Sequence, residues 1–394
     1  MNEPSLRGLL EWVVVQPFAS LEAALEGFAD EAIARGSALE RAQWVVGTLH
    51  PLTGHVAATW QRGQGVRLRF IPHVDTYGEA YRRSPLRLLY DEGHAVVRRR
   101  LCDADCPDDF GILPELRAAG ITDYAAAYTP LVDGKHASTT VATRAPGGFS
   151  EAELAALLGA AGGLSRVLEI FLRRRITENI CDAYLGRDPG RRVQQGSIRR
   201  GDVEHIQAVV WFCDLRGFTA LSAALDTDAL LALLGDYFEL VGTSIQRAGG
   251  EILKFIGDAV LAIFPCGAEA EQERAVESAL GAADEMFGRL AALNERRAAA
   301  GGRPIALGVG LHLGDVAYGN IGTPDRLDFT VIGRAVNLAS RLEGLCGRLD
   351  EPLVVSEAVA LRSRRALRPI GDFTFKGIPD PARVFGLRRL DAGP

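Results

Sequence analysis

Val209-Val210-Trp211-Phe212-Cys213-Asp214-Leu215-Arg216-Gly217-Phe218-Thr219 is an apolar run that ends in a carboxylate and turns at once at a glycine. The run reads as a buried strand. Gly217 lets the backbone turn sharply, and the amides from Leu215 to Thr219, entering a helix N-terminus, are placed to meet an anion. A second carboxylate, Asp258, sits in Ile252-Leu253-Lys254-Phe255-Ile256-Gly257-Asp258-Ala259-Val260-Leu261-Ala262-Ile263-Phe264. There an apolar pattern breaks at Gly-Asp and resumes, the signature of a hairpin with its acid at the turn. A carboxylate beside an anion-binding turn is unfavourable unless a cation lies between them, so Asp214 and Asp258 read as ligands of a divalent ion carrying a polyphosphate.

Outward from these stretches the pattern alternates strands and helices. Thr219 is placed to cap a helix over Ala220 to Leu225, and Asp226 or Thr227 opens a longer one through Leu230, Leu234, Phe238, Val241 and Ile245. A long Ala/Glu helix runs from about Glu269 to Ala298. Strands follow at Ala306 to Leu313, Val316 to Ile321 and Asp328 to Ile332, then a helix from Ala335 to Leu345 and closing strands at Leu353 to Val355, Pro369 to Phe375 and Val384 to Leu387. Lys254 lies four residues before Asp258, and with Thr330 it is a candidate reader of a base edge. Asn337 and Arg341, four apart, share a helix face. An amide with a guanidinium suits a ribose and a phosphoryl group developing negative charge.

The motifs Phe212-Cys213-Asp214-Leu215-Arg216-Gly217-Phe218-Thr219, Leu253-Lys254-Phe255-Ile256-Gly257-Asp258, Gly308-Val309-Gly310-Leu311-His312-Leu313-Gly314 and Ile332-Gly333-Arg334-Ala335-Val336-Asn337-Leu338-Ala339-Ser340-Arg341-Leu342 occur in that order. Together they resemble the class III nucleotidyl cyclases, the family of adenylate and guanylate cyclases. The resemblance implies a ferredoxin-like α+β catalytic domain over 201–394. It implies that Asp214 and Asp258 hold two Mg2+ or Mn2+ ions, that Lys254 and Thr330 read adenine, that Asn337 orients the ribose, and that Arg341 stabilises the transition state. The turn residues Gly217, Phe218 and Thr219 would lie against phosphate, with Lys376 as a triphosphate contact and Arg326 a looser one. The implied reaction is ATP to 3',5'-cyclic AMP and pyrophosphate, at composite sites of a homodimer. Guanylate cyclases usually carry Glu and Cys where this chain has Lys254 and Thr330. Threonine there resembles the subgroup often responsive to bicarbonate. The alternatives are a guanylate cyclase and a catalytically silent nucleotide-binding module.

The remainder of the chain reads as a separate module. At 394 residues and 42.3 kDa, two domains are expected. Leu21, Leu25 and Phe28 mark a helix, Trp44 to Trp60 and Val66 to Ile71 strands, Tyr77 to Pro85 a loop, and Ala95 to Leu101 a strand. Tyr124 to Thr129 and Ala137 to Ala145 are adjacent strands joined by an Asp133-Gly134 turn. Ser150 caps a helix with Glu153 three residues on. Pro130-Leu131-Val132-Asp133-Gly134 and Phe149-Ser150-Glu151-Ala152-Glu153-Leu154 resemble the end of a GAF domain, which implies a sensory domain over 1–172 open to a small-molecule effector. A helix over 164–185 and a polar segment, Gly186 to Gly196, form the 173–200 connection.

Composition bounds the rest. Lys+Arg total 44 against Asp+Glu 50, a formal charge of −6, which gives no support for a nucleic-acid surface. The six cysteines are scattered and fit a reducing compartment, and no nearby Cys/His pair completes a zinc set around Cys102 and Cys106. His50, His55, His73, His94 and His136 lack ligand spacing, and His312 reads as structural. No signal-peptide pattern opens the chain and no apolar run approaches the roughly 20 residues that span a bilayer. A cytoplasmic protein without membrane attachment is therefore expected.

Overall fold

The computed structural model describes residues 6, 8–48, 52–131, 136–378 and 380–387. The chain divides into two units, Met1–Ile180 and Cys181–Pro394. His50 and the Asp133-Gly134 turn lie outside the described residues.

In the first unit, α1 (Leu9–Val15) and α2 (Leu21–Ala34) precede β1 (Leu39–Gly47), β2 (Thr53–Gln61) and β3 (Gly65–Pro72). Two short helices, α3 (Glu79–Arg82) and α4 (Pro85–Tyr90), lead to β4 (Val96–Arg100), α5 (Leu113–Ala118), β5 (Asp123–Pro130), β6 (His136–Thr143) and the 35-residue α6 (Glu151–Leu185). The six strands form one sheet in the order β3-β2-β1-β6-β5-β4, antiparallel at every pairing. The stretch expected as strand from Trp44 to Trp60 is the β1/β2 pair, in which Trp44 faces Ala58.

Alternation along each strand sends side chains to two cores. On one face Ala42, Trp44 and Trp60 pack with Leu25 and Phe28 of α2 and Leu157 and Leu164 of α6. On the other, Tyr124, Ala126 and Ala142 pack with Leu89, Leu113 and Leu116. Asp123 is fully buried and is neutralised by Arg98, whose Nη2 donates to Oδ2 at 2.6 Å, while the Phe149 amide donates to the same oxygen at 3.0 Å. Ser150 caps α6 as expected, its Oγ accepting from the Glu153 amide at 3.1 Å. By length and composition α6 is apolar enough to cross a membrane, which corrects the expectation that no stretch comes near it. Here its N-terminal half supplies buried leucines to the first core.

The second unit opens with α7 (Arg187–Gln194), where the sequence reads as a polar linker. Pro189 lies in the first turn, where a missing amide costs nothing, and Pro189 and Gly190 are buried. Then come β7 (Val203–Leu215), α8 (Phe218–Ala224), α9 (Thr227–Arg247), β8 (Glu251–Ile256), β9 (Ala259–Cys266), α10 (Glu269–Ala299) and β10 (Leu307–Gly322). The chain continues through β11 (Leu327–Ile332), α11 (Arg334–Leu349), β12 (Leu353–Ser356), α12 (Glu357–Ala360), β13 (Leu367–Phe373) and β14 (Ala382–Leu387). The sheet order is β13-β14-β12-β10-β7-β9-β8, with β11 paired to β10. Within it, β7-α9-β8-β9-α10-β10 gives the antiparallel order β10-β7-β9-β8, the ferredoxin-like βαββαβ arrangement.

Three local readings differ from expectation. The two strands expected at Ala306 to Leu313 and Val316 to Ile321 are one continuous β10, which pairs with β7 from Leu307–Leu215 to Gly319–Val203. Gly314 interrupts the apolar pattern without ending the strand. Thr219 does not cap α8; the N-cap is Gly217 in the left-handed region at φ 70, with no side-chain cap. The buried stripe of α9 is Leu233, Tyr237, Leu240, Val241 and Ile245, so Leu234 and Phe238 flank the core and do not centre it.

His312 on β10 shares a 2.8 Å hydrogen bond between Nδ1 and Ser356 Oγ, and burial pulls its pKa from 6.5 down to about 4. The folded chain keeps this imidazole neutral while the unfolded chain protonates it. Its contribution is therefore complete above pH 6.5 and lost as the pH falls toward 4. Compared with wild type, His312→Gln should flatten the pH dependence of urea stability in that window, where one such proton contributes at most about 1.4 kcal/mol per pH unit.

Candidate active site

β7 separates two chemistries by alternation. Val209, Trp211, Cys213 and Leu215 enter the core under α9 and α10, whereas Val210 and Phe212 face α11. Asp214 shares the second face, at the last turn before Gly217. Asp258 arrives from the β8/β9 hairpin. Ile256 pairs with Ala259, so the loop is the dipeptide Gly257-Asp258, with Gly257 at φ 64. A glycine first with positive φ and an ordinary second residue is the type II′ hairpin.

The two carboxyls meet. Burial, then Asp258, then Glu343 of α11 push the Asp214 pKa up to about 8, against the Leu215 amide, which donates to Asp214 Oδ1 at 2.8 Å. Asp258 Oδ2 is buried and has no hydrogen-bond partner among the described residues. Glu343 is itself raised to about 7 by burial, opposed by Arg216. Two abutting acids, one with an orphaned oxygen, fit a divalent cation: its charge would remove the repulsion and occupy the oxygen. Mg2+ or Mn2+ bound there would neutralise triphosphate charge and acidify an attacking hydroxyl. Among the described residues no cluster of three or more His, Cys, Asp and Glu side chains is gathered for a metal.

The helix behind the acids is held close by glycine. A Cβ at Gly310 would lie 2.3 Å from the Ala339 carbonyl oxygen and 2.4 Å from the Glu343 amide nitrogen, and one at Gly308 would lie 2.7 Å from Cys346 Cβ. Glycines at 308 and 310 thus let α11 pack on the β10 backbone and bring Glu343 toward the acid pair. Arg216 fixes the turn itself, donating from Nη2 to the Cys346 carbonyl at 3.1 Å and to the Glu351 carbonyl. Neither Glu343 nor Arg216 was singled out from the sequence. Their signal was position only: one is two residues past Arg341, the other two past Asp214.

The base-reading candidates lie on neighbouring strands. Lys254 Nζ on β8 pairs with Asp328 Oδ2 on β11 at 2.7 Å, and this ion pair holds the Asp328 carboxyl below its usual pKa. Thr330 follows two residues later on β11 and is 9% exposed. Sequence reasoning missed Asp328, which occupies Lys254 in this state. Both partners are solvent-accessible, so the pair is weak and readily exchanged for a ligand.

Asn337 and Arg341 are exposed on α11, and among the described residues neither side chain makes a hydrogen bond or ion pair. The charges that raise the Asp214 pKa include Asp258 and Glu343. Gly217 and Thr219 are exposed at the α8 start, Phe218 packs partly against the core, and Arg326 and Lys376 are exposed in turns. The fold therefore unites Asp214 with Asp258 and Lys254 with the Thr330 strand, and leaves Asn337 and Arg341 unengaged.

Residues 202–381 match the family model of the Adenylate and Guanylate cyclase catalytic domain. This segment is a class III cyclase catalytic domain. Adenylate cyclase of Anabaena cylindrica is 36% identical over 167 residues, which are 41% of this chain and 32% of that protein. Adenylate cyclase 1 of Rhizobium meliloti (strain 1021) is 31% identical over 173 residues, 43% of this chain and 26% of that protein. The chain thus spans about a third or less of the length of these relatives. A solved structure of the adenylyl cyclase CyaB from P. aeruginosa is 30% identical, with a TM-score of 0.42, covering 49% of this chain and all of that one.

Proposed function

We propose that the chain is an adenylate cyclase that converts ATP to 3',5'-cyclic AMP and pyrophosphate with two divalent ions at each site of a homodimer. The observation that carries this reading is the meeting of Asp214 and Asp258 with an orphaned Asp258 oxygen. These two residues would hold the ions and the triphosphate. The amides at Gly217 to Thr219 would receive phosphate oxygens, and Lys376 would add charge. Phosphoryl transfer of this type needs positioning and charge stabilisation more than covalent help from the protein. Asn337 and Arg341, whose side chains make no hydrogen bond or ion pair among the described residues, are assigned to the ribose and to the transferring phosphoryl group in the partner's site.

Adenine is assigned to Lys254 and Thr330. The ammonium, released from Asp328, would donate to a ring nitrogen, and the threonine hydroxyl would complete the base edge. A cyclase assay with Mn2+ or Mg2+, comparing ATP with GTP, tests the substrate. ATP should be favoured, and Lys254→Glu with Thr330→Cys should move the ATP:GTP ratio of kcat/KM toward GTP by at least about tenfold. Equal ratios in both proteins would exclude these residues as base readers.

The first unit is assigned a GAF-like sensory role, supported by its antiparallel β3-β2-β1-β6-β5-β4 sheet with helices on both faces. The same assay with and without residues 1–185 tests the regulatory half. Added bicarbonate at fixed pH tests the response that Thr330 implies. Cytoplasmic location is proposed on the same reading, since ATP and Mg2+ are met there.

A further inference from the structure

Asp214 at the end of β7 pairs directly with Gly308 of β10. Directly paired residues of antiparallel strands carry their Cβ atoms about 5 Å apart on one face, so a side chain at position 308 would be a close cross-strand neighbour of the Asp214 carboxylate. Glycine supplies none. The place is taken by α11: a Cβ at Gly308 would lie 3.0 Å from Glu343 Oε1 and 2.7 Å from Cys346 Cβ. Gly310 admits the backbone that carries this carboxylate, since a Cβ there would lie 2.4 Å from the Glu343 amide nitrogen and 3.0 Å from its Cα. Two glycines at alternate positions of β10 thus set the Glu343 carboxylate in the slot beside Asp214.

The slot is electrostatically adverse. Asp258 and Glu343 both act on Asp214 as like charges, and Asp258 acts on Glu343 in the same sense. Arg216 is the cation that opposes this accumulation. Its guanidinium is engaged with the end of α11, Nη2 donating to the Cys346 and Glu351 carbonyls and Nη1 to Asp350 Oδ1 at 3.3 Å. The half-buried Glu343 carboxylate makes no hydrogen bond or ion pair among the described residues. A carboxylate that served only the fold would be expected to carry a partner.

A cation between Asp214 and Asp258 reverses the sign of the Glu343 contribution: the charge that repels the two acids attracts the ion. Among the described residues the three acids are not gathered as one set of ligands, so Glu343 acts from behind the pair. We infer that Glu343 is a positioning residue of the metal site, an outer carboxylate that strengthens divalent-ion binding at Asp214 and Asp258 without coordinating the ion. The inference rests on the reading of those two aspartates as ligands. Outer groups of this kind typically change metal affinity by about 10–100-fold.

The test uses the full chain and Mn2+ alone, without nucleotide and at fixed pH. Binding is read from the paramagnetic resonance signal of free Mn2+ and from the melting temperature, so turnover is not needed. Glu343→Gln keeps the shape and removes the charge. It should bind Mn2+ at least about tenfold more weakly than wild type, and with like-charge repulsion relieved it should melt at a higher temperature in the absence of metal. Glu343→Asp keeps the charge and should recover part of the lost affinity. Should Glu343→Gln fail to fold, Glu343→Ala takes its place. A neutral variant with wild-type Mn2+ affinity, whatever its melting temperature, would make Glu343 a structural residue and overturn the inference while leaving the two aspartates as ligands. Wild-type protein that binds no Mn2+ would overturn both the ligand assignment and the inference.

Discussion

Asp258→Asn is expected to lower kcat by about a thousandfold or more, the scale seen when a group acting on transition-state charge is lost, while leaving the fold intact. The carboxylate stands at the second position of a two-residue hairpin, where an amide of the same shape fits. Its Oδ2 has no hydrogen-bond partner among the described residues, so removing the charge breaks no bond of that oxygen. The raised Asp214 pKa has Asp258 among its causes, so the substitution should relieve strain between like charges. A readout without turnover separates the two effects. Mn2+ should raise the wild-type melting temperature through preferential binding to the folded state, and Asp258→Asn should abolish that rise without lowering the metal-free melting temperature. If the variant kept its cyclase rate, or kept its Mn2+ response, Asp258 would not be a ligand.

The parts of this site legible in the sequence are those written as local pattern. The carboxylate at the end of β7 and the Gly-Asp turn before β9 each announce themselves within about ten residues, because strand apolarity and turn chemistry are short-range signals. Asn337 and Arg341 are legible through helical spacing. The continuity of β10 was not legible, since Gly314 breaks the apolar run and only pairing along β7 shows that the strand continues through it. The helical character of α7 was hidden by its polar, Pro- and Gly-containing sequence. Its first turn is held by Glu251 on β8, whose Oε1 accepts from the Asp188 amide at 3.1 Å.

The remaining omissions have the same origin. Glu343 reaches the acid pair only because Gly308 and Gly310 admit α11 to the β10 backbone, a tertiary fact with no local trace. Asp328 and Lys254 are 74 residues apart and meet across β11 and β8. In the first unit, the buried Ser138 and Thr140 each look ordinary in sequence: a polar residue at alternate strand positions normally means solvent. Only a sheet covered on both faces turns them into buried polar groups that need a partner.

Mixing Asp214→Ala chains with Arg341→Ala chains should restore activity that neither variant has alone. Arg341 lies exposed on α11 and makes no side-chain hydrogen bond or ion pair among the described residues. A guanidinium that stabilises transferring phosphoryl charge is worth about three orders of magnitude or more, so Arg341→Ala by itself should be nearly inactive. If a site takes its acids from one chain and its arginine from the other, two-fold symmetry gives each wild-type dimer two equivalent sites. A mixed dimer then has one site lacking both groups and one site with both intact. With free exchange of chains half the dimers are mixed, and total activity should recover to about a quarter of wild type. Were each chain to supply its own arginine, every site in the mixture would lack one essential group and activity would stay at the level of the separate variants. A mixture verified to contain mixed dimers, yet inactive, would therefore place Arg341 outside the partner's site and remove the homodimer from the proposed mechanism.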